Sequence, residues 1–383
     1  MVKPLTRDEH LFGPGPKRML ALDGGGVRGV VTLAYLERIE KLLRQRHGDA
    51  FRLCDYFDLI GGTSTGAIIA AGLALGFSVA KLQALYRDLA GAVFKKSFWR
   101  VGLIGAKFPG EALDSQLRKP FGDVTLGSDQ LQTGLMIVTK RLDSSSTWVI
   151  HNNPRGKFFG AAGSGSKYSG NQGFPLRQVI RASAAAPHYF EPERIRLAEE
   201  LEGAFVDGGV SPYNNPALQL VLLASLEGYG FKWPLGADKL LLVSVGTGAR
   251  RESFAAREVM EMPAAMLALR GLVSMMGDCD ALTQTLLQWM SKTPTAWEIN
   301  SEVGNLGGDL LGGQAWLSYL RYNVQFDPPW LKTKLDIEMG AEQIGRLFEI
   351  DAPQNLSELS RLGETAGAAQ VKDEHFPAAF DRT

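Results

Sequence analysis

Three short stretches carry residues that could do chemistry together. Gly62, Ser64 and Gly66 form G-x-S-x-G between the apolar run 56–60 and the small-residue run 67–72. A serine on a sharp strand-to-helix turn takes a strained backbone conformation, and strand and helix pass it only if its neighbours lack side chains. Its hydroxyl then stands at a helix N-terminus, where partial positive charge favours a developing anion. The pentapeptide by itself fits a nucleophile elbow and an ordinary Gly/Ser turn equally well.

The second stretch is Asp23-Gly24-Gly25-Gly26-Val27-Arg28-Gly29. Gly24, Gly26 and Gly29 satisfy G-x-G-x-x-G, the dinucleotide fingerprint, between a strand and a helix. The same glycines could instead fan backbone N–H groups into an oxyanion hole, or make a tight turn with no ligand. Two features favour the oxyanion reading. Asp23 is an awkward neighbour for a pyrophosphate, and the next strand ends at Ser64 rather than at an acidic ribose partner.

The third stretch is Asp207-Gly208-Gly209, at the end of the apolar run 204–207. An activated serine needs a base. His151, His188 and His375 follow Ser64, but none sits at a glycine-framed strand end. Asp207 does, and it is expected to emerge at the same sheet edge as Ser64. Asp-Gly-Gly alone is more often only a turn. As third member of this set it becomes the candidate base, with a Ser64–Asp207 distance of roughly 2.6–3.2 Å.

The elements that must position these residues alternate. Apolar strands are expected at 18–23, 56–60, 135–139, 147–152, 204–207, 239–245 and 316–324, and helices at 30–46, 78–92, 111–121, 176–186, 215–226, 263–290 and 356–371. Alternation of this kind implies an α/β fold with a largely parallel sheet. We expect an irregular lead-in over 1–17, a catalytic domain over 18–250, and a mostly helical extension over 251–383 packed on the same unit. Residues 59–80 are uncharged and long enough to span a bilayer, but several glycines and the turn at Ser64 make a buried strand–helix unit the better reading.

Composition narrows the function further. The 383 residues hold 41 basic and 41 acidic side chains, so no net field draws the chain to nucleic acid. Cys54 and Cys279 stand far apart, without metal-ligand spacing, and fit a reducing compartment. The N-terminal segment lacks the apolar core of a signal peptide, so a cytoplasmic location is expected. No metal or other cofactor is expected, and the oligomeric state is not legible. The basic-aromatic cluster Phe94-Lys95-Lys96-Ser97-Phe98-Trp99-Arg100 could touch a lipid headgroup layer or be a half-buried loop. Met260, Met262, Met266, Met275 and Met276 are expected to pack in the core, with the wall of an acyl pocket as the alternative.

Together the three blocks, in this order and spacing, resemble the signatures of the patatin-like phospholipases. Arg181-Ala182-Ser183-Ala184-Ala185-Ala186-Pro187, Asn214-Asn215-Pro216 and Val243-Ser244-Val245-Gly246-Thr247-Gly248 are similar to further blocks of that family. The likeness covers about 18–248. It implies a three-layer fold, a largely parallel sheet flanked by helices, and a lipolytic acyl hydrolase of phospholipase A type acting on membrane glycerolipids. Ser64 is then the nucleophile and Asp207 the base of a Ser–Asp dyad. The loop of Gly24, Gly25, Gly26, Val27, Arg28 and Gly29 supplies the oxyanion hole. Gly62, Gly66, Gly208 and Gly209 support the turns, and Arg28 steadies the loop or an anionic head group. The resemblance also extends to bacterial effectors switched on by cyclic nucleotides in phage defence. A dinucleotide-binding oxidoreductase and a catalytically silent binding module are the rival classes.

Overall fold

The computed structural model describes residues 4–93, 110–160, 168–250 and 254–382. Nine strands form one sheet. They are β1 (Lys17–Leu22), β2 (Leu59–Thr63), β3 (Gly134–Arg141), β4 (Ser146–His151), β5 (Glu193–Ala198), β6 (Leu201–Asp207), β7 (Leu240–Val245), β8 (Ser291–Lys292) and β9 (Leu317–Tyr322). Their order is β5-β6-β3-β2-β1-β7-β9-β8, with β4 also paired to β3.

Every residue of β1, β2 and β7 is buried. Continuous apolar strands of this kind belong to parallel sheets covered on both faces. Alternate side chains serve the two faces. Leu20, Leu22, Ile60, Val243 and Val245 join one core, with the helices Gly29–His47, Thr65–Ala74 and Leu356–Gln370. Met19, Ala21, Leu59, Leu240 and Leu242 join the other, against the helix Ala217–Ser225. The molecule is therefore three layers deep.

Six strands, from β3 through β2, β1, β7 and β9 to β8, run parallel, whereas β4, β5 and β6 are antiparallel to their neighbours. The direction of β6 matters for the site. It enters from beyond the end of β3 and stops with Asp207 opposite Thr139. Val138, the residue before, lies opposite Thr63 at the end of β2. Asp207 therefore reaches the level of Ser64 from the opposite direction.

The segment after residue 250 contributes β8 and β9 to the sheet, and the helix Leu356–Gln370, which packs on the helix Gly29–His47. Gly363 makes the close helix contact possible, because a Cβ there would stand 2.9 Å from the Cβ of Ala34. At the other end, part of the expected irregular lead-in is the helix Arg7–Phe12. A reciprocal capping box between Thr6 and Glu9 starts it. Pro216 caps the following helix rather than opening its first turn. Residues 59–80 divide into β2 and the helix Thr65–Ala74, followed by the start of the helix Val79–Val93. Among the described residues no helix is long and apolar enough to cross a membrane.

The loops after β1 and β2 leave adjacent parallel strands and run side by side. At Gly66 a Cβ would stand within 2.8 Å of the Asp23 carbonyl oxygen and overlap that of Leu22. Backbone cannot yield as a flexible side chain can. Gly66→Ala should therefore lower the unfolding free energy by about 2–3 kcal/mol. Urea unfolding checks this, and a midpoint unchanged from the parent chain would contradict the packing.

Candidate active site

Ser64 joins β2 to the helix Thr65–Ala74 with φ 56 and ψ −121, a conformation costly for any residue with a Cβ. Its neighbours hold it there. The Ser64 backbone N–H donates to Ser183 Oγ at 2.9 Å, and Ser183 Oγ donates to the Val138 carbonyl at 2.6 Å. Ser183 is fully buried, so one hydroxyl fastens the strained residue to β3. A Cβ at Gly62 would overlap the Gly66 carbonyl, which is why the turn admits no side chain there.

The Ser64 hydroxyl donates to Asp207 Oδ2 at 2.5 Å. Asp207 Oδ1 accepts the Gly209 N–H at 2.7 Å. The side chain is buried at the wall of a cavity. Burial pushes its pKa up from 3.8 to about 6, against the opposing pull of those two hydrogen bonds. A carboxylate whose proton affinity is raised by desolvation is a better base than a solvated one.

The glycine loop sits beside this pair: a Cβ on Gly24 would lie 3.1 Å from Ser64 Cβ. Its N–H groups divide sharply. Those of Gly24 and Val27 donate to the carbonyls of Asn214 (3.1 Å) and Ile350 (2.9 Å). The N–H of Arg28 donates to Gly25 at 3.2 Å, and that of Gly29 to Gly26 and Val27. The N–H groups of Gly25 and Gly26 have no partner among the described residues, and both residues line the cavity in front of Ser64. Of the six loop residues singled out in the sequence, these two offer donors to a ligand.

Arg28 is buried, with Nε 3.3 Å from the Gly25 carbonyl and its guanidinium 3.8 Å above the Phe348 ring. Burial lowers its pKa to about 10. Tyr86, on the helix Val79–Val93, staples the two loops together. Its hydroxyl donates to the Gly26 carbonyl and lies 2.7 Å from Thr65 Oγ1. Nothing in the sequence around Tyr86 points to that role.

Beneath the loop is a second buried pair. Arg321 of β9 holds both carboxylate oxygens of Asp23, at 2.9 and 2.6 Å, and also donates to Ser244 Oγ at 2.8 Å. Burial pushes Asp23 up to about 6 even so. Asp280 lies 3.6 Å from the same guanidinium and accepts from Asn215 at 2.9 Å. Asp23 therefore anchors the loop to the sheet instead of facing a ligand. An arginine inside the apolar strand 317–322 was the available signal, since a buried cation requires an anion.

The cavity holds about 210 Å³, and Ile68, Leu89, Leu113, Phe190 and Met276 give it apolar walls. None of the five histidines lines it. His151 is buried, with its pKa pushed down to about 4, and His375 meets the Tyr322 hydroxyl at 2.8 Å. His188 is exposed. The methionine run departs from the expected core packing. Met260, Met266, Met275 and Met276 are exposed, and only Met276 reaches the cavity. Apolar periodicity marks a helix but not whether anything covers it. The Phe94–Arg100 cluster lies outside the described residues. Among the described residues no His, Cys, Asp and Glu group could hold a metal ion.

Comparison with known proteins bears on this arrangement. The family model described as patatin-like phospholipase matches residues 20–221, just over half of the chain. Patatin-like protein 1 of Arabidopsis thaliana is 28% identical over 272 residues, covering 63% of this chain and 61% of that protein. The cGAMP-activated phospholipase of Vibrio cholerae is 31% identical over 220 residues, covering 55% and 57%. The chain thus spans about three fifths of the length of these curated relatives. Among solved structures, VipD from Legionella pneumophila aligns with a TM-score of 0.37 at 14% identity, over 91% of this chain and 67% of that one. On the family match, the chain belongs to the patatin-like phospholipases.

Proposed function

We propose that this chain hydrolyses carboxylic esters of acyl lipids, membrane glycerolipids above all, through an acyl-serine intermediate. The observation that carries the reading is the Ser64 hydroxyl on a buried, proton-avid carboxylate, beside two backbone donors with no partner among the described residues. Asp207 takes the hydroxyl proton as Ser64 Oγ bonds to the carbonyl carbon. The negative charge moves onto the carbonyl oxygen, where the N–H groups of Gly25 and Gly26 can stabilise it; each such donor contributes about 3 kcal/mol in comparable sites. Collapse of the tetrahedral species breaks the ester C–O bond, and Asp207 returns the proton to the departing alkoxide. Water then repeats the sequence on the acyl-serine and frees the fatty acid.

The apolar walls of the cavity suit an acyl chain better than a nucleotide, and the Asp23 carboxylate is held by Arg321. Arg28 fits the loop-steadying role, through the Gly25 carbonyl and Phe348. A nucleotide-activated enzyme is the second reading. It rests on the name of the Vibrio cholerae relative, a cGAMP-activated phospholipase, and a lipid assay with and without cyclic dinucleotide separates the two.

Lipid product analysis tests the chemistry. Ser64→Ala should abolish fatty-acid release, and Asp207→Asn should reduce it by about a thousandfold or more. The double variant should be little worse than Ser64→Ala alone, because the two residues act as a unit. Additive losses, or an Asp207→Asn chain with near-parental rates, would defeat the dyad.

Two pH effects follow from Asp207. The base must be ionised, so kcat/KM should fall tenfold per pH unit below about pH 6. Stability runs the other way. The folded-state pKa lies above the unfolded value of 3.8, so the ionised carboxyl opposes folding; that cost is absent below about pH 4, grows up to about pH 6 and is complete above it. The rise corresponds to about 3 kcal/mol. Asp207→Asn should therefore be more stable than the parent at pH 8 and lose that advantage at pH 4, as read by urea unfolding. An equal difference at both pH values would contradict the assigned ionisation.

A further inference from the structure

The geometry points to Thr247 as a positioning residue for the oxyanion hole: its hydroxyl aims the Gly25 N–H by holding the carbonyl at the other end of the same peptide. This inference rests on the reaction proposed above and identifies a part of the site beyond the dyad and the glycine loop.

The C=O and N–H of a trans peptide point in opposite directions. The peptide joining Gly24 to Gly25 presents its carbonyl to Thr247 Oγ1 at 2.9 Å, with Asn214 Nδ2 at 3.4 Å on the same oxygen. Its N–H, that of Gly25, therefore faces away from Thr247, and Gly25 itself lines the cavity. A glycine peptide has little torsional preference of its own. Without a donor on its carbonyl it could rotate, and the N–H would leave its bearing. A hydrogen bond to the carbonyl also polarises the amide and strengthens its N–H as a donor.

Thr247 is itself rigidly held. It is buried and follows β7 between two glycines. The Gly246 N–H donates to the Tyr322 carbonyl at 2.9 Å, and the Gly248 N–H to Asn323 Oδ1 at 2.7 Å. The Gly246 carbonyl accepts from Thr32 Oγ1 at 2.9 Å. Three points of attachment, to Tyr322 of β9, to Asn323 just beyond it and to the helix Gly29–His47, thus fix one hydroxyl against Gly24. A Cβ on Gly25 would stand 2.5 Å from Thr247 Cβ, so the two segments are in direct contact. The residue touches the donor peptide without lining the cavity.

The test compares Thr247→Val, which keeps the shape and removes the hydroxyl, with Thr247→Ser, which keeps the hydroxyl. Steady-state kinetics on a soluble ester are paired with inhibition by a trifluoromethyl ketone, whose adduct with Ser64 carries an oxyanion. Thr247→Val should lower kcat by about ten- to hundredfold, keep KM within about twofold, and weaken the ketone by the same factor as kcat. Thr247→Ser should restore both. Should the valine chain melt early, Thr247→Ala carries the same comparison. Parental kcat and ketone affinity in the valine or alanine chain would overturn the inference alone, as would equal losses in the serine chain or a loss confined to KM. A parent chain whose hydrolysis survives Ser64→Ala would overturn the proposed reaction, and the inference with it.

Discussion

Everything at this site depends on how closely two backbone loops pass each other. The loops after β1 and β2 leave neighbouring parallel strands, and the helix after Ser64 runs against the carbonyls of Leu22 and Asp23 at Gly66. Any side chain at that crossing would push the elbow away from the glycine loop. Because none is present, Gly24 lies against Ser64, and Gly25 and Gly26, whose N–H groups have no partner among the described residues, line the same cavity as Ser64. Ser64 keeps its strained torsions through the surrounding hydrogen bonds. Strain persists only where the surroundings over-determine it.

Four polar residues from four parts of the chain hold the two loops in place. Ser183 holds the Ser64 backbone, Tyr86 joins Gly26 to the elbow helix, Thr247 holds Gly24, and Arg321 holds Asp23. Each satisfies a buried polar group that would otherwise cost free energy, so the contacts that stabilise the fold also aim the site. Arg321 and Thr247 tie the front of the glycine loop to the second half of the sheet. The last third of the chain is thus structurally part of the site, through β9 and through the Ile350 carbonyl on the Val27 N–H.

The local geometry was legible in the sequence. Glycines at fixed offsets, an acid at a strand end and alternating apolar runs all act within a few residues of themselves. They led to the three blocks, the parallel core and most helices. What was not legible is non-local. An apolar run does not state its direction, so the antiparallel approach of β6 was hidden. Nor does a methionine-rich helix announce whether a partner covers it, and Met266, Met275 and Met276 are exposed. The side chains that hold Asp23, Gly24 and Gly26 come from 60 to 298 residues away. No spacing rule reaches that far. Only Arg321, a cation within an apolar strand, left a local trace.

The central claim is that Ser64 becomes covalently acylated. Rapid quenching of the parent chain with a labelled ester, followed by peptide mapping by mass spectrometry, reads this directly. The account predicts one acyl group, on the peptide that carries Ser64, formed at the rate of turnover or faster and missing from the Ser64→Ala chain. Acylation of another residue would contradict it. So would turnover with no acyl-enzyme on Ser64 when deacylation is slowed enough for one to accumulate.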